Sequence, residues 1–471
     1  MVRPKTVFPI EHHLIHQMGL LLMKLGVAGF ILGAALPLAA QVSFVPAISG
    51  CSMAHCDTSI NGLDHAVSPM VPTSTILSHD TLPAGKGNGL GCSSNGTIAA
   101  CSYADPSGNN LVLYGPDGSR LWASGSLLDA QAFASAPMID SAGDVIAADD
   151  QHMVRVSSSG NVVWDAPTTG GTPISPVITQ SGALVLATLG GPVSAYSNVS
   201  GALIGAQYFR PEQGSSSYYE TVNTPCVNGN RVYISTQLSS DPESGALLAV
   251  DVNASDPENP LTLAWQFSFG GPSGASPVCV GGDIFFDGTS LNPDSGYDPV
   301  IFGLQDTGSS ASLLWVQDVP SPVPAALAVD PRGDGLWCIF LDDPWIERRS
   351  LATGSVDGAI NIATLVGDPL PNNPYSEINI AGGSANPVML LGTTSQPQLF
   401  YGKRRPDSIA FSSYVIAINL NTSSLLWEVN LSPFLGTDSA ASQFAVITGA
   451  SGSPEVVFAG NTSGAYFVGA P

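Results

Sequence analysis

The sequence is poor in charged residues, and above all in basic ones. Asp, Glu, Lys and Arg make up 11% of the 471 residues, with 14 Lys and Arg against 37 Asp and Glu. This shortage excludes a general nucleic-acid binder, because phosphate backbones are bound by Lys and Arg. Hydrophobic residues reach 44%, which excludes a disordered acidic chain. The 51 Gly and 37 Pro exclude a helical bundle, because both residues interrupt helices.

Several signatures of catalytic and metal sites are also missing. The sequence has no Gly-x-Ser-x-Gly hydrolase turn, no Cys-x-x-Cys-His haem attachment and no Asp-x-Asp-x-Asp-Gly calcium loop. Cys51, His55, Cys56, His65 and His79 stand close together, but their spacing matches no known set of metal ligands. The sequence therefore predicts no catalytic residues and no metal site.

The N-terminus has the pattern of a targeting segment. Basic residues precede an apolar run whose uninterrupted part covers positions 25–40. This length suits a signal peptide better than a spanning helix of roughly 20 residues, although a single N-terminal membrane anchor is an alternative. We predict a signal peptide over residues 1–40 and an exported protein located in the periplasm, at the cell surface or outside the cell.

A second processing site competes with cleavage after Ala40. Ile48-Ser49-Gly50-Cys51 resembles the lipobox of bacterial lipoproteins, in which the cysteine is lipidated and becomes the N-terminus. The signal segment would then extend to residue 50, and the protein would be an outer-membrane lipoprotein candidate. Cleavage after Ala40 leaves 11 basic against 36 acidic residues.

Seven cysteines allow disulfides in an exported protein. If Cys51 carries no lipid, it can form a short loop with Cys56. Cys92 and Cys101 flank a turn sequence, Ser-Ser-Asn-Gly, and are a candidate hairpin disulfide. Cys226 and Cys279 follow similar Thr-Pro and Ser-Pro openings and are assigned to the same position of a repeat. For each of these cysteines, a buried free thiol is the alternative.

The chain after residue 70 is repetitive. Tryptophan recurs a few residues after a Gly- or Ser-containing turn, and glycine takes its place in two further repeats. These landmarks are Trp122, Trp164, Gly205, Trp265, Trp315, Gly358 and Trp427. Their base period, apart from insertions, is typical of four-stranded propeller blades of roughly 40–45 residues. The tryptophans are expected to fill the space between adjacent blades.

The end of the chain completes the fold prediction. Residues 455–468 supply two strands and then stop one strand short of a blade. We expect residues 70–78 to supply the missing strand, so that the N- and C-terminal strands pair and close the ring. The prediction is an all-β propeller over residues 70–471, with eight blades or alternatively seven, after a lead-in segment at residues 41–69.

The tryptophan landmarks resemble the quinoprotein (PQQ-type) β-propeller family, whose repeat reads Ala-x-Asp-x-x-x-Gly-x-x-x-Trp. The best match is Ala417 to Trp427, which departs from the pattern at Asn419 and has serine at the glycine position. The family includes dehydrogenases that use pyrroloquinoline quinone and Ca²⁺, and non-catalytic members that bind other proteins. Its enzymes typically have a vicinal Cys-Cys disulfide, and this sequence has no Cys-Cys pair.

The resemblance therefore implies the non-catalytic branch: a monomeric scaffold for protein or cell-surface ligands, without a cofactor. A quinone- or Ca²⁺-dependent oxidoreductase using the central funnel is the alternative. Insertions in repeat proteins often lie on the binding face. Aromatic and arginine side chains in these insertions form a predicted partner surface. Its members are Tyr208, Phe209, Arg210, Tyr218, Tyr219, Tyr297 and Tyr375.

Overall fold

The structure is a computed structural model. It describes residues 42–57, 59, 62–66, 69, 75–80, 89–103, 109–125, 127–129, 136–221, 223–272, 274–290, 298–367, 373–374, 376–395, 412–431, 443–460 and 464–470. The predicted signal peptide and its cleavage site at Ala40 lie outside the described residues. Within the described part, no helix is both long and apolar enough to cross a bilayer.

Thirty-seven strands and one short helix are described. Strands β1 (Leu63–Asp64) and β2 (Thr75–His79) come first. Blade 1 contains β3 (Gly89–Ser94), β4 (Ala99–Tyr103), β5 (Leu111–Tyr114) and β6 (Arg120–Ala123), and blade 2 contains β7 (Met138–Ile139), β8 (Val145–Ala148), β9 (His152–Val156) and β10 (Val162–Pro167).

The middle of the chain forms three more blades. The third contains β12 (Val177–Ile178), β13 (Ala183–Leu186), β15 (Val193–Ser197) and β16 (Leu203–Gln207), beside the separate pair β11 (Thr172–Pro173) and β14 (Thr188–Leu189). The fourth contains β17 (Tyr219–Glu220), β18 (Cys226–Asn228), β19 (Arg231–Leu238), β20 (Asp241–Val252) and β21 (Leu261–Phe269). The fifth contains β22 (Val278–Val280), β23 (Asp283–Thr289), β24 (Pro299–Asp306) and β25 (Ala311–Asp318).

The last part of the chain completes the ring. Blade 6 contains β26 (Ala328–Val329), β27 (Gly335–Ile339), β28 (Trp345–Ser350) and β29 (Val356–Asn361), followed by α1 (Ile362–Val366). Blade 7 contains β30 (Asn373–Pro374), β31 (Asn379–Ala381), β32 (Val388–Thr394), β33 (Ser413–Asn419) and β34 (Ser424–Asn430), with β1 added in parallel to β31. Blade 8 contains β35 (Ala445–Thr448), β36 (Pro454–Ala459), β37 (Ala465–Gly469) and β2.

The order of strands within each blade follows from burial. The first strand of a blade is almost fully buried, as in β7 and β12, whereas the fourth strand exposes side chains, as in β6 and β16. The first strands therefore face the central axis, and the fourth strands form the outer rim. Because neighbouring strands are antiparallel, the turn after the first strand and the turn after the third strand emerge on the same face of the ring.

The ring closes with a composite blade. Strand β2, from the N-terminal side, pairs antiparallel with β37, with Thr75 opposite Gly469. The predictions of eight blades and of closure by the two ends of the chain are confirmed. The added strand β2 covers the edge of β37, which would otherwise be exposed to pairing with other chains.

Candidate binding surfaces and the closed central channel

Each of the seven landmark residues lies at a β-bulge in the outer strand of its blade. In blade 2, for example, the ladder between β9 and β10 shifts register between Val162 and Trp164. The same shift precedes the landmark in the other six blades, including those with Gly205 and Gly358. A bulge inserts one residue and re-aims the side chain that follows. The repeat period of the landmark residues therefore reflects a β-bulge that recurs in the outer strand of these seven blades.

The landmark tryptophans join adjacent blades. Trp164 donates its indole N–H to the carbonyl of Asn198 at 3.1 Å, and Trp315 donates to the carbonyl of Leu351 at 2.7 Å. Both acceptors follow the third strand of the next blade. Trp265 likewise donates to Asp306 Oδ1 at 3.0 Å. Trp122 packs against Gly160 of blade 2. In each case the indole fills the space between two blades.

In the composite blade, β2 pairs with the third strand β37 and forms the outer strand. Pro69 precedes β2 in the chain, and its carbonyl accepts the indole N–H of Trp427 at 3.3 Å. The N-terminal side of the chain thus supplies both the outer strand of blade 8 and the acceptor for the tryptophan of blade 7.

A segment from the lead-in region lies across the central channel. We call residues 51–57, 59 and 62–66 the channel segment. Five backbone N–H groups of inner strands donate to it: Ser94 to Cys51 O (2.6 Å), Ile139 to Ser52 O (2.9 Å), Cys279 to Ser59 O (2.8 Å), Ile380 to Gly62 O (2.8 Å) and Val446 to Asp64 Oδ2 (2.8 Å). Inner strands are sheet edges, so their N–H groups need such acceptors when they are buried.

Side chains of the channel segment form a buried polar network on the axis. His55 lies within 3.1 Å of Ser276 Oγ through Nε2 and within 3.1 Å of Glu377 Oε2 through Nδ1. Gln443 accepts from the backbone N–H of His55 and donates to the carbonyls of Met53 and Cys92, both at 2.9 Å. The network ties the segment to blades on several sides of the ring.

Asp64 is a second polar residue of the channel segment and is buried. Its carboxylate accepts from the backbone N–H groups of Ala66 and Val446, both at 2.8 Å. Burial raises the pKa of the Asp64 carboxyl to about 6, although the two hydrogen bonds act in the opposite direction.

Three disulfides are present among the described residues. They join Cys51 to Cys56, Cys92 to Cys101 and Cys226 to Cys279, and Cys338 is left as a buried thiol. Lipidation of Cys51 and its disulfide exclude each other, because one sulfur cannot carry both; lipidation stays a prediction. Cys51, Cys56 and Asp64 place three ligand-type atoms within 4.8 Å of one another. A disulfide offers no thiolate to a metal ion.

The Cys226–Cys279 pair corrects the assignment of both cysteines to one repeat position. Cys226 directly follows Pro225, whereas Cys279 is the second residue after Pro277. Successive side chains of a strand point to opposite faces. The one-residue offset therefore turns each sulfur towards the neighbouring blade, which two equivalent positions could not do.

The predicted aromatic surface divides into buried and exposed members. Phe209 and Tyr219 belong to the hydrophobic core beside blades 3 and 4. Tyr208 is exposed, and its ring meets that of Tyr218 edge-on with centroids 4.9 Å apart. Arg210 is exposed but donates to the carbonyls of Ser215 and Ser216. Tyr297 and Tyr375 lie outside the described residues.

Arginines in the described part are engaged internally. Six are paired with carboxylates: Arg120 with Asp80, Arg155 with Asp144, Arg231 with Asp251 and Asp306, Arg332 with Asp330, Arg348 with Asp330, Asp334 and Asp357, and Arg349 with Glu347. Burial alone would raise the pKa of Asp330, but hydrogen bonds from Arg332 and Arg348 outweigh it and hold the pKa at about 2.

A cavity of about 850 Å³ opens beside the channel segment. Residues 43–48 and Met53 form one wall, and the turns after the first strands of blades 3 and 4, at residues 178–182 and 227–229, form the other. Among the described residues of the lining, Asp57 and His65 are the charged or titratable side chains, and none is Lys or Arg. The volume lies within the range of ligand-binding cavities.

Comparison with known proteins agrees with this architecture. A sequence family described as "Outer membrane protein assembly factor BamB" matches residues 65–294. The chain is a β-propeller, and its residues 65–294 are similar to this PQQ-type repeat family. No curated protein matches it.

Three solved structures with similar folds are distant from this chain in sequence. The computationally designed Ika8 protein has a TM-score of 0.53 at 12% identity, with 84% of this chain and 100% of that chain covered. BamB from Moraxella catarrhalis gives 0.49 at 11% identity, covering 84% and 98%. A quinohemoprotein alcohol dehydrogenase from Pseudomonas putida HK5 gives 0.47 at 10% identity, covering 89% and 80%.

Sequence reasoning missed the channel segment. The one local signal is the dense apolar and cysteine-rich stretch around residues 44–56, which resembles a core segment more than a linker. Its partners lie up to 390 residues away in the chain, as for Met53 and Gln443. Periodicity cannot detect such contacts, because the segment is not part of any repeat.

Proposed function

We propose that this PQQ-type propeller is an exported, non-catalytic protein that binds other proteins and acts as a scaffold. The supporting observation is the channel segment. Five inner strands donate backbone hydrogen bonds to it, so the axial space in this part of the ring is filled by the chain itself. A propeller whose axis is filled in this way retains its rim and its faces for binding.

The quinone- or Ca²⁺-dependent alternative requires a flat slot on the axis lined by Asp, Arg and Asn. The described residues at the axis do not fit this requirement. Cys51, Cys56, His55 and Gln443 occupy it and are bonded to one another or to inner strands. The arginines of the described part hold carboxylates or loop carbonyls elsewhere. These contacts favour the binding role over the oxidoreductase.

Export is supported by the cysteines as well as by the N-terminal sequence. Three disulfides in one domain are typical of proteins that fold in an oxidising compartment. The BamB description of the matching family agrees with a periplasmic or outer-membrane setting. We therefore place the protein in the periplasm, at the cell surface or outside the cell.

Tyr208 and Tyr218 are the proposed contact residues for a protein partner. In the connection between blades 3 and 4, the exposed ring of Tyr208 meets the half-buried ring of Tyr218 edge-on. Arg210 fixes the adjoining loop through its carbonyl contacts. Tyrosines held in this way contribute binding energy at a small entropic cost. Tyr219 is excluded from this role, because it is buried in the core.

Two experiments test the proposal. Anaerobic reconstitution with pyrroloquinoline quinone and Ca²⁺, followed by dye reduction with alcohols and glucose, should give no turnover while a quinoprotein dehydrogenase run in parallel is active. Cross-linking in the native host should capture a protein partner, and Tyr208→Ala with Tyr218→Ala should reduce its recovery at least about tenfold. Trp345→Ala, at an exposed aromatic elsewhere, is the control. Quinone-dependent turnover would refute the proposal.

A further inference from the structure

We infer that the cavity beside the channel segment binds an extended segment of a partner protein, seating an apolar side chain that is flanked by Lys or Arg. The inference rests on the proposed function and names the site and the chemistry of the partner. It concerns a different surface from Tyr208 and Tyr218, which lie after the fourth strand of blade 3.

The lip of the cavity is unusually apolar for an exposed surface. Val42, Val45 and Ile48 have 73%, 62% and 91% of their surfaces exposed, and the other exposed large hydrophobic residues reach at most 52% among those described. Val45 and Ile48 line the cavity directly. Clusters of this kind mark interaction sites, because solvation of exposed aliphatic side chains is unfavourable.

The floor continues this apolar surface inward. Phe44, Met53, Ile178 and Val227 line the cavity and are all buried. Phe44 is held by the guanidinium of Arg155, 5.5 Å from its ring centroid, and its carbonyl accepts from Asn198 Nδ2. The wall is therefore a fixed part of the ring, and an apolar side chain can enter without displacing the core.

The opposite rim is polar and exposed. Gln180, Ser181 and Asn228 stand at the turns of blades 3 and 4 that border the cavity. An amide and a hydroxyl of this kind can bond the N–H and C=O groups of an extended peptide, while the apolar wall takes a side chain. This pairing of a polar rim with an apolar wall fits a polypeptide better than a purely apolar small molecule.

Electrostatics select the charge of the partner. Asp57 is the acidic residue among the described residues of the lining, and none of those residues is Lys or Arg. After removal of residues 1–40 the chain has 11 basic and 36 acidic residues, and the seven described arginines are already engaged. The resulting negative field attracts cationic segments and repels anionic ones, including anionic lipid surfaces. A flat bilayer also cannot fill a concave cavity.

Selection from a defined peptide pool tests this inference. The full exported chain is immobilised and exposed to random decapeptides with acetylated and amidated ends, and bound peptides are sequenced by mass spectrometry. We expect enrichment of Val, Ile, Leu or Phe next to Lys or Arg, with depletion of Asp and Glu. An enriched peptide is then labelled, and its dissociation constant is measured by fluorescence polarisation.

Matched variants locate the binding. Val45→Ser with Ile48→Ser should weaken the labelled peptide at least about tenfold, because two aliphatic contacts are lost. Gln180→Lys should weaken it several-fold, with a loss that shrinks as salt is added. Leu313→Ser with Val316→Ser removes similarly exposed aliphatic side chains from β25 and should change nothing. All these positions are exposed, so the variants should fold.

Three outcomes would overturn the inference: no enrichment over blank resin, enrichment that Val45→Ser with Ile48→Ser leaves intact, or binding of phosphatidylcholine vesicles that this variant abolishes while no peptide is selected. If these occur and the Tyr208 and Tyr218 variant still loses a cross-linked partner, the cavity is not the site and the proposed function stands. Failure of both the peptide selection and the cross-linking experiment would refute the inference and the proposed function together.

Discussion

Pro260 of blade 4 occupies the space that Gly205 leaves in blade 3. A Cβ atom added to Gly205 would clash with Pro260 Cγ. Gly205 stands at the landmark position where five other blades carry tryptophan. Pro260, at the end of the insertion before β21, therefore fills the space that an indole fills in those blades. Gly205 and the insertion that carries Pro260 are therefore complementary in size.

This contact predicts a coupled effect on stability. Gly205→Ala should lower the free energy of unfolding by about 1–3 kcal/mol through overpacking, and adding Pro260→Ala should restore part of it. Gly358→Ala is the control, because its Cβ would meet Arg348 at an ordinary 3.5 Å. Urea denaturation of the four proteins of the cycle measures the coupling. Additive effects of the two substitutions would contradict the proposed contact.

Gly62, in the channel segment, should tolerate replacement by alanine less well than Gly125 in blade 1. Its φ is +71°, and an added Cβ would lie 2.8 Å from the carbonyl oxygen of Ile378 and 2.9 Å from Ala328 Cβ. Gly125 has a similar φ of +60° with no atom within 4 Å. In both alanine variants, backbone strain should lower the free energy of unfolding by about 1–2 kcal/mol. Gly62→Ala should lower it by at least about 1 kcal/mol more, because its Cβ also clashes with neighbouring atoms. Equal losses in urea denaturation would show that the segment is not packed as described.

Asp330 should be far more sensitive than its neighbour Asp334. Asp330 is 1% exposed and accepts from Arg332, Arg348 and the indole of Trp337. Asp330→Asn leaves two guanidinium groups without their shared counter-charge and should cost about 3–5 kcal/mol. Asp334→Asn breaks an exposed contact to the same Arg348 and should cost less than about 1 kcal/mol. Thermal and urea unfolding of both variants provide the comparison.

Asp64 should give stability a specific pH dependence. Its folded-state pKa of about 6 lies above the unfolded value near 4, so the protonated carboxyl favours folding. The contribution is complete below about pH 4 and is lost as the pH rises through 6, on the order of 2–3 kcal/mol. The difference in unfolding free energy between wild type and Asp64→Asn should shrink or reverse by that amount from pH 4 to 8. A constant difference across this range would rule out the titration.

Counting thiols separates the disulfide from lipidation at Cys51. Native protein should not react with a maleimide, because Cys338 is buried. Unfolding without reductant should expose one thiol if the three disulfides are present, and two if Cys51 carries lipid and Cys56 is free. Intact mass and N-terminal sequencing give the second readout: a start near Gln41 or a lipidated Cys51.

Local sequence determined the repeat and the closing strand. The landmark residues lie a few residues after a turn and each follows the same bulge, so Trp164 and Gly205 could be aligned without coordinates. The unpaired C-terminal strands required a partner, and the strand-forming residues before position 80 were the available candidates. Both inferences use information that lies within one repeat or one strand.

Tertiary structure alone decided what the ring encloses and which side chains remain outside it. Phe209 and Tyr219 are aromatic residues of the kind that binding loops carry, but they are buried. Cys226 forms a disulfide with Cys279 only because neighbouring blades pack face to face. The channel segment, Pro260 and the cavity depend on residues that the closed ring brings together from distant parts of the chain. Sequence patterns report the period of the strands, whereas these contacts arise from the packing of whole blades around an axis.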